Sequence, residues 1–199
     1  MNTTQRTLQD THRIHGEDAK RRLRPLLIFV AVLWFIEIVD SLLFGGALDG
    51  FGVIPRQTAG LKGIFLAPLL HGNFAHLLAN TIPFIILGFL VMLRHEDRFL
   101  AISIVITLVS GLGTWLIALS NTVHIGASAL VFGYFAFLVV NAWYERSIAA
   151  IVPAVIVIIL YGGLLVGVLP AGNGISWQGH LFGVVGGAVA AYYYSPRRF

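Results

Sequence analysis

Long apolar runs separated by short polar breaks dominate this chain. A helix needs about 20 mainly apolar residues to cross a bilayer. Six runs reach that length, at roughly 25–44, 74–93, 99–119, 126–144, 148–169 and 177–194. The connection 45–73 is long and contains Gly and Pro, whereas 94–98, 120–125, 145–147 and 170–176 are short. Hydrocarbon offers the backbone no hydrogen-bond partners, so each run has to satisfy its own amides as a helix. The pattern predicts an all-α fold, a polytopic membrane protein with a six-transmembrane-helix bundle. One domain over 25–194 is expected between a polar, basic tail at 1–24 and a short tail at 195–199.

Composition strengthens this reading. Of the 199 residues, 57% are hydrophobic and 11% are Asp, Glu, Lys or Arg, against about 25% charged in soluble domains. Mean hydropathy is +0.85, so too few polar residues remain to cover a water-exposed core. Soluble, disordered and collagen-like classes are excluded. A net charge of +4 could suggest nucleic acid, but the basic residues flank the apolar runs instead of forming a patch. Six lie at 6–24; Arg94, Arg98, Arg146, Arg197 and Arg198 fall on the same side of a six-span chain, leaving only Arg56 and Lys62 opposite. The positive-inside bias then puts both termini in the cytoplasm and the protein in a cell membrane of prokaryotic type. No cleavable leader is expected, because the first apolar run is too long for a signal-peptide core. The absence of Cys excludes disulfides and thiolate chemistry.

Polar groups inside membrane spans are costly and mark protein interiors or water-filled cavities. Here they gather at one end: His71, His76 and Asn80 at the start of the second run, Ser128 at the start of the fourth, and His180 at the start of the sixth. No comparable group is expected at the opposite end. His76 and Asn80, four apart, share a helix face. Gly179, Gly183 and Gly187 form a smooth row on the sixth helix, as Ala129 and Gly133 do on the fourth. Such rows let membrane helices approach closely, which would bring Ser128 to His180. A serine hydroxyl needs an adjacent base to act as a nucleophile, leaving His76, Asn80 and the Ser128 amide to steady an oxyanion. Taken alone, Ser128 would be read as a helix-packing serine, and His76 and Asn80 as helix glue. The convergence on one end favours chemistry. Glu37 and Asp40 share a face of the first run and read as structural, with Asp40 near enough to the end to reach water. Arg56 is read as pinning the long loop to headgroups or backbone carbonyls, and His124 as a loop residue. The zinc-protease pattern H-E-x-x-H is absent, so no metal site and no cofactor is assigned.

These residues carry a family resemblance. The stretches His71-Gly-Asn-Phe-Ala-His76-Leu-Leu-Ala-Asn80, Gly126-Ala-Ser128-Ala-Leu-Val-Phe-Gly133 and Gly179-His180-Leu-Phe-Gly183-Val-Val-Gly-Gly187 resemble the motifs of rhomboid intramembrane serine proteases, on the second, fourth and sixth helices. Gly52-Val-Ile-Pro-Arg56 is similar to the first-loop sequence of bacterial members. The resemblance implies a Ser128–His180 dyad without an acid, oxyanion stabilisation by His76 and Asn80, and a more structural role for His71. It implies a fifth helix acting as a lateral gate, and hydrolysis of peptide bonds in or near the transmembrane segments of other proteins. Small residues at the cleavage point and helix breakers after it would be preferred. The partners are transmembrane protein substrates and membrane lipids, not nucleic acid; an inactive relative that only binds membrane helices is the alternative. One departure is Ala129, where the family usually has Gly after the nucleophile. Its small methyl group is expected to tune the site, by crowding the oxyanion pocket or by altering substrate preference, and not to inactivate it.

Overall fold

The computed structural model describes residues 23–170 and 174–196. All but the last two residues of the tail assigned to 1–24, and the last three of 195–199, lie outside these. Among the described residues the chain is helical, with no strand beyond one isolated antiparallel bridge between Val53 and His124. In order come α1 (Leu23–Phe44), a short loop helix α2 (Thr58–Leu69), α3 (Phe74–His95), α4 (Phe99–Ile117), α5 (Ser128–Glu145), α6 (Ile148–Val168) and α7 (Trp177–Tyr194). Four stretches are long and apolar enough to cross a membrane: α1, the 44-residue Phe74–Ile117, α5 and α6. The second breaks near its middle, where His95 leaves helical geometry (φ −137°, ψ 46°). The chain there reverses into the antiparallel pair α3 and α4. The long loop predicted at 45–73 is partly helical, through α2.

Caps account for several of these boundaries. The Asn73 side chain accepts the His76 amide at 2.8 Å and opens α3. Ser147 accepts from Ala150 N–H to open α6, and Ser176 from Gly179 N–H to open α7. Each satisfies an amide that has no carbonyl one turn earlier. Arg146, in the left-handed region at φ 52°, ends α5.

α7 is the central helix and packs against both α4 and α5. It is also the least apolar of the long helices, because protein and not lipid surrounds it. A Cβ at Gly183 would overlap the carbonyl of Ala129, and one at Gly187 the carbonyl of Gly133. The rows of small residues on α5 and α7 therefore meet backbone to backbone. Around this seam Ile102, Ile106, Phe84, Leu87, Tyr134 and Phe137 form the main buried cluster. α6 shows the opposite pattern: Ala150, Ala154 and Val157 are buried, while Ile159, Leu160 and Val166 are exposed as on a lipid-facing surface. Below, the end of the bundle carrying the starts of α3, α5 and α7 is termed the upper end.

Polar residues are not confined to that end, contrary to the sequence expectation. At the lower end Arg94 pairs with Glu145. Ser147 donates to Glu145 at 2.6 Å, and buried His95 Nε2 donates to Asn141 Oδ1 at 3.2 Å. Asn141 donates to Glu145 at 3.4 Å. The network binds α3, α5 and the first turn of α6, with Arg94 Nε left as its buried atom without a partner among the described residues. The i, i+4 spacing of Asn141 and Glu145 was the available signal.

The backbone seam generates a prediction. Gly187→Ala should destabilise the protein by about 1–3 kcal/mol, since the added methyl forces two backbones apart. Gly163→Ala, where nothing lies within 4 Å of the added Cβ, should stay within about 0.5 kcal/mol of the parent. Thermal unfolding of both variants in detergent micelles checks the contrast.

Candidate functional site

Ser128 is the first residue of α5. The turn before it runs through Gly126 at φ +110°, in a region that L side chains avoid. A Cβ at Gly126 would also stand 2.9 Å from the His76 ring. Glycine thus allows both the turn and the contact that brings α3 beside the start of α5. The Ala127 amide donates to His71 Nε2 at 3.3 Å, fixing the approach to Ser128. As the start of a helix, Ser128 presents backbone N–H groups that have no partner one turn earlier, with the positive end of the helix dipole behind them.

His180, one turn into α7, places Nε2 at 2.8 Å from Ser128 Oγ. Its Nδ1 lies 2.9 Å from the Gly167 carbonyl oxygen on α6. The ring stacks on Phe132, with centroids 4.1 Å apart and planes 10° off parallel. His180 is 8% exposed and Asn80 is 6%. Asn80 Nδ2 is buried and has no hydrogen-bond partner among the described residues. A buried donor left unpaired costs about 1–3 kcal/mol, so its presence here needs a reason beyond packing. It lies 3.7 Å from where a Gly126 Cβ would be, close to the Ser128 turn. The His76 ring meets His71 edge-on at 5.1 Å. The structure thus brings Ser128, His180, His76 and Asn80 to one groove, with His71 beneath it. That groove, about 1300 Å³, runs between α3 and α6 and is also lined by Phe132, Gly167 and Trp177.

A second, smaller cavity of about 40 Å³ lies on the other side of Ser128, lined by Ser110, Thr114, Ser176 and Ala129 among others. Its size and polar lining suit water. Ala129 lines this cavity and not the groove that holds His76 and Asn80. At the start of α5 consecutive residues point about 100° apart, so Ala129 turns away from Ser128.

Three loop contacts hold the upper rim. Arg56 donates to the Leu116 carbonyl at 3.0 Å and to Ser120 Oγ at 2.6 Å, so it pins the long loop to backbone carbonyls at the end of α4. His124 pairs with Val53 through both backbone groups, and its ring joins Thr122 at 2.8 Å and Ser176 at 2.7 Å. Burial lowers the pKa of His124. The third is the Asp40 carboxylate, which accepts from Leu48 N–H at 3.0 Å. Asp40 is 3% exposed and braces the loop instead of reaching water, while Glu37 takes a 3.4 Å bond from Ser41. Sequence reasoning missed Phe132, Gly167 and the Ser110/Thr114 lining. Two of these carried a signal: Phe132 stands one helical turn after Ser128, and Ser110 and Thr114 are a polar i, i+4 pair inside an apolar run. Gly167 acts through its backbone, which no side-chain pattern reveals. Among the described residues, no group of three or more His, Asp or Glu could hold a metal ion.

A helical membrane bundle with a serine and a histidine in contact at one end defines a narrow class of proteins. The family model described as Rhomboid domain matches residues 58–197, and the chain belongs to the rhomboid family. It is similar to uncharacterised proteins of Mycobacterium tuberculosis and Mycobacterium bovis, each 47% identical over 182 residues covering 87% of this chain and 75% of the relative. A more distant relative is the Bacillus subtilis protein named "Putative rhomboid protease YdcA", 28% identical over 181 residues covering 86% of this chain and 89% of the relative.

His71 supplies a pH prediction. Burial, with the nearby His76, lowers its pKa from 6.5 to about 4. The unfolded chain binds this proton near the ordinary value and the folded chain only near the lowered one. Stability should therefore fall as pH drops through that window and level off below it. Unfolding midpoints of the parent and His71→Gln in micelles, taken across this range, should show a smaller decline for the variant. Equal declines would mean that His71 contributes nothing to acid sensitivity.

Proposed function

We propose that this protein is an intramembrane serine endopeptidase, hydrolysing peptide bonds in or near the transmembrane segments of other membrane proteins. The observation that carries the reading is the 2.8 Å approach of His180 Nε2 to Ser128 Oγ beside a groove large enough for an extended peptide. Ser128 attacks the scissile carbonyl and His180 accepts its proton. The Ser128 amide, Asn80 and His76 receive the developing oxyanion, which gives the unpaired Asn80 donor its partner. His180 then protonates the leaving amine, and a water activated by the same imidazole releases the acyl-enzyme. The small polar cavity behind Ser128 is a place from which that water can come. The reaction calls for no cofactor.

The domain at 25–194 is the catalytic unit, with tails at 1–24 and 195–199. Basic residues concentrated on the lower side favour a lower end in the cytoplasm and an upper end facing outward. The groove then opens toward water, as hydrolysis requires. A substrate helix has to unwind locally before its scissile bond can reach Ser128, because helical amides are bonded internally.

Two linked measurements test the proposal. In proteoliposomes holding a tagged single-span substrate, the parent should cleave, while Ser128→Ala and His180→Ala should not. Asn80→Ala should lower kcat by about 100-fold. Cleavage by Ser128→Ala at the parent rate would overturn the mechanism. A fluorophosphonate probe should label Ser128 in the parent; absence of both labelling and cleavage would favour a relative that only binds membrane helices.

A further inference from the structure

Both ring nitrogens of His180 are engaged, and one of the contacts fixes the state of the other. Nδ1 lies 2.9 Å from the Gly167 carbonyl oxygen, and a carbonyl oxygen only accepts. In neutral imidazole the proton therefore sits on Nδ1, and the Nε2 lone pair faces Ser128 Oγ. The opposite tautomer would point an N–H at the serine and could not take its proton. These are the hydrogen bonds of the His180 ring among the described residues, and neither partner is a carboxylate. A backbone carbonyl thus stands where a base is commonly steadied by an acid.

The carbonyl belongs to a segment with little burial, in which Leu164 packs against the main cluster. Residues Gly162–Val168, the last seven of α6, form a 3-10 turn with no buried residue. The anchoring residues of α6, Ala150, Ala154 and Val157, lie lower down. Gly167 lies close to both rings of the stack: a Cβ there would stand 3.1 Å from His180 Nδ1 and 3.1 Å from Phe132 Cζ. The absence of a side chain is what lets the α6 backbone reach an imidazole already stacked on Phe132.

We propose that Gly167, through its carbonyl, is the positioning residue of the Ser128–His180 pair: it sets the tautomer and plane of His180, so that the imidazole is a competent base only while the upper segment of α6 is in place. The inference rests on the proposed function and adds a coupling to it. A substrate that displaces this segment withdraws the acceptor from Nδ1, and base competence returns when the segment closes back. Admission and chemistry are separated in time by one hydrogen bond.

The test begins with a readout independent of cleavage. In protein labelled with 15N-histidine, at about pH 8 where imidazoles are neutral, His180 should show a protonated Nδ1 and a bare Nε2. The signal is assigned by its loss in His180→Gln. The same tautomer should persist in Ser128→Ala, because Gly167 sets it and not the serine. A His180 protonated on Nε2 in the parent overturns the proposal whether or not the protein cleaves anything. Gly167→Ala should give mixed tautomers and a kcat lowered by about tenfold to a hundredfold, with KM within about twofold. Gly163→Ala, in the same turn and without neighbours at its Cβ, should leave the His180 tautomer unchanged. A Gly167→Ala protein with parental tautomer and kcat would also overturn the proposal. Full cleavage by Ser128→Ala would instead remove the protease reading and leave the tautomer result standing, so the two failures are distinguishable.

Discussion

The backbone contact between α5 and α7 sets the geometry of the site. Gly183 lies against the Ala129 carbonyl and Gly187 against the Gly133 carbonyl, with no room for a methyl group at either. In lipid no hydrophobic force drives helices together, and close packing of small residues is among the few sources of attraction. The seam spends that attraction where geometry matters most. Gly183 is three residues from His180, and its neighbour Ala129 is one residue from Ser128. The 2.8 Å spacing of the two side chains is thus the end of a rail, and a shift along it would separate them before it exposed any core.

A polar groove inside a membrane protein has to be closed off from lipid by something, and here loops do much of that work. Arg56, Asp40 and His124 each spend their polar groups on backbone or side chains of neighbouring segments. Asn80 Nδ2 in the groove, His71 Nδ1 beneath it and Asp49 Oδ1 in the long loop are buried without a partner among the described residues. Native structures keep few such groups. Of these, the Asn80 amide lines the groove, which is physical support for a site that completes its hydrogen bonds with something it binds. At the lower end, by contrast, Arg94, His95, Asn141, Glu145 and Ser147 mostly satisfy one another. That arrangement stabilises a junction of three helices and presents little to a ligand.

Most of the architecture was legible in the sequence because hydrocarbon imposes such a coarse rule. Apolar length alone predicts helices within a few residues of where they stand, and spacing alone predicts that the small rows on α5 and α7 meet. The candidate site was legible for a related reason: Ser128, His180, His76 and Asn80 are conspicuous in spans that otherwise avoid polar groups. What escaped was anything carried by backbone or by direction. The orientation of Ala129 depends on where α5 starts to turn, which periodicity does not fix to one residue. Arg94 and Glu145 sit at helix ends, where charge is ordinary, so the i, i+4 pair Asn141 and Glu145 was the one faint sign of their network. The long loop looked irregular because Gly and Pro interrupt it, yet α2 forms between the interruptions.

The division of the bundle into a densely packed part and a sparsely buried part bears on how the proposed site could hold Ser128 and His180 aligned and still admit a peptide. α4, α5 and α7 are locked by contacts that tolerate no added atom at several glycines, whereas α6 buries residues low and only part-buries Tyr161 and Leu164 above. A site built wholly on the tight part would be well aligned and closed. One built on the loose part would be open and badly aligned, because a side chain held by a mobile helix loses the angular precision that proton transfer demands. Here Ser128 and His180 both stand on the tight part, and α6 contributes a single carbonyl. Under the proposed coupling, that partition would let α6 shift without displacing Ser128 or His180, while the imidazole responds to whether the Gly167 carbonyl is in place. An acid from the tight part in place of the Gly167 carbonyl would hold the histidine permanently, and that response would be lost.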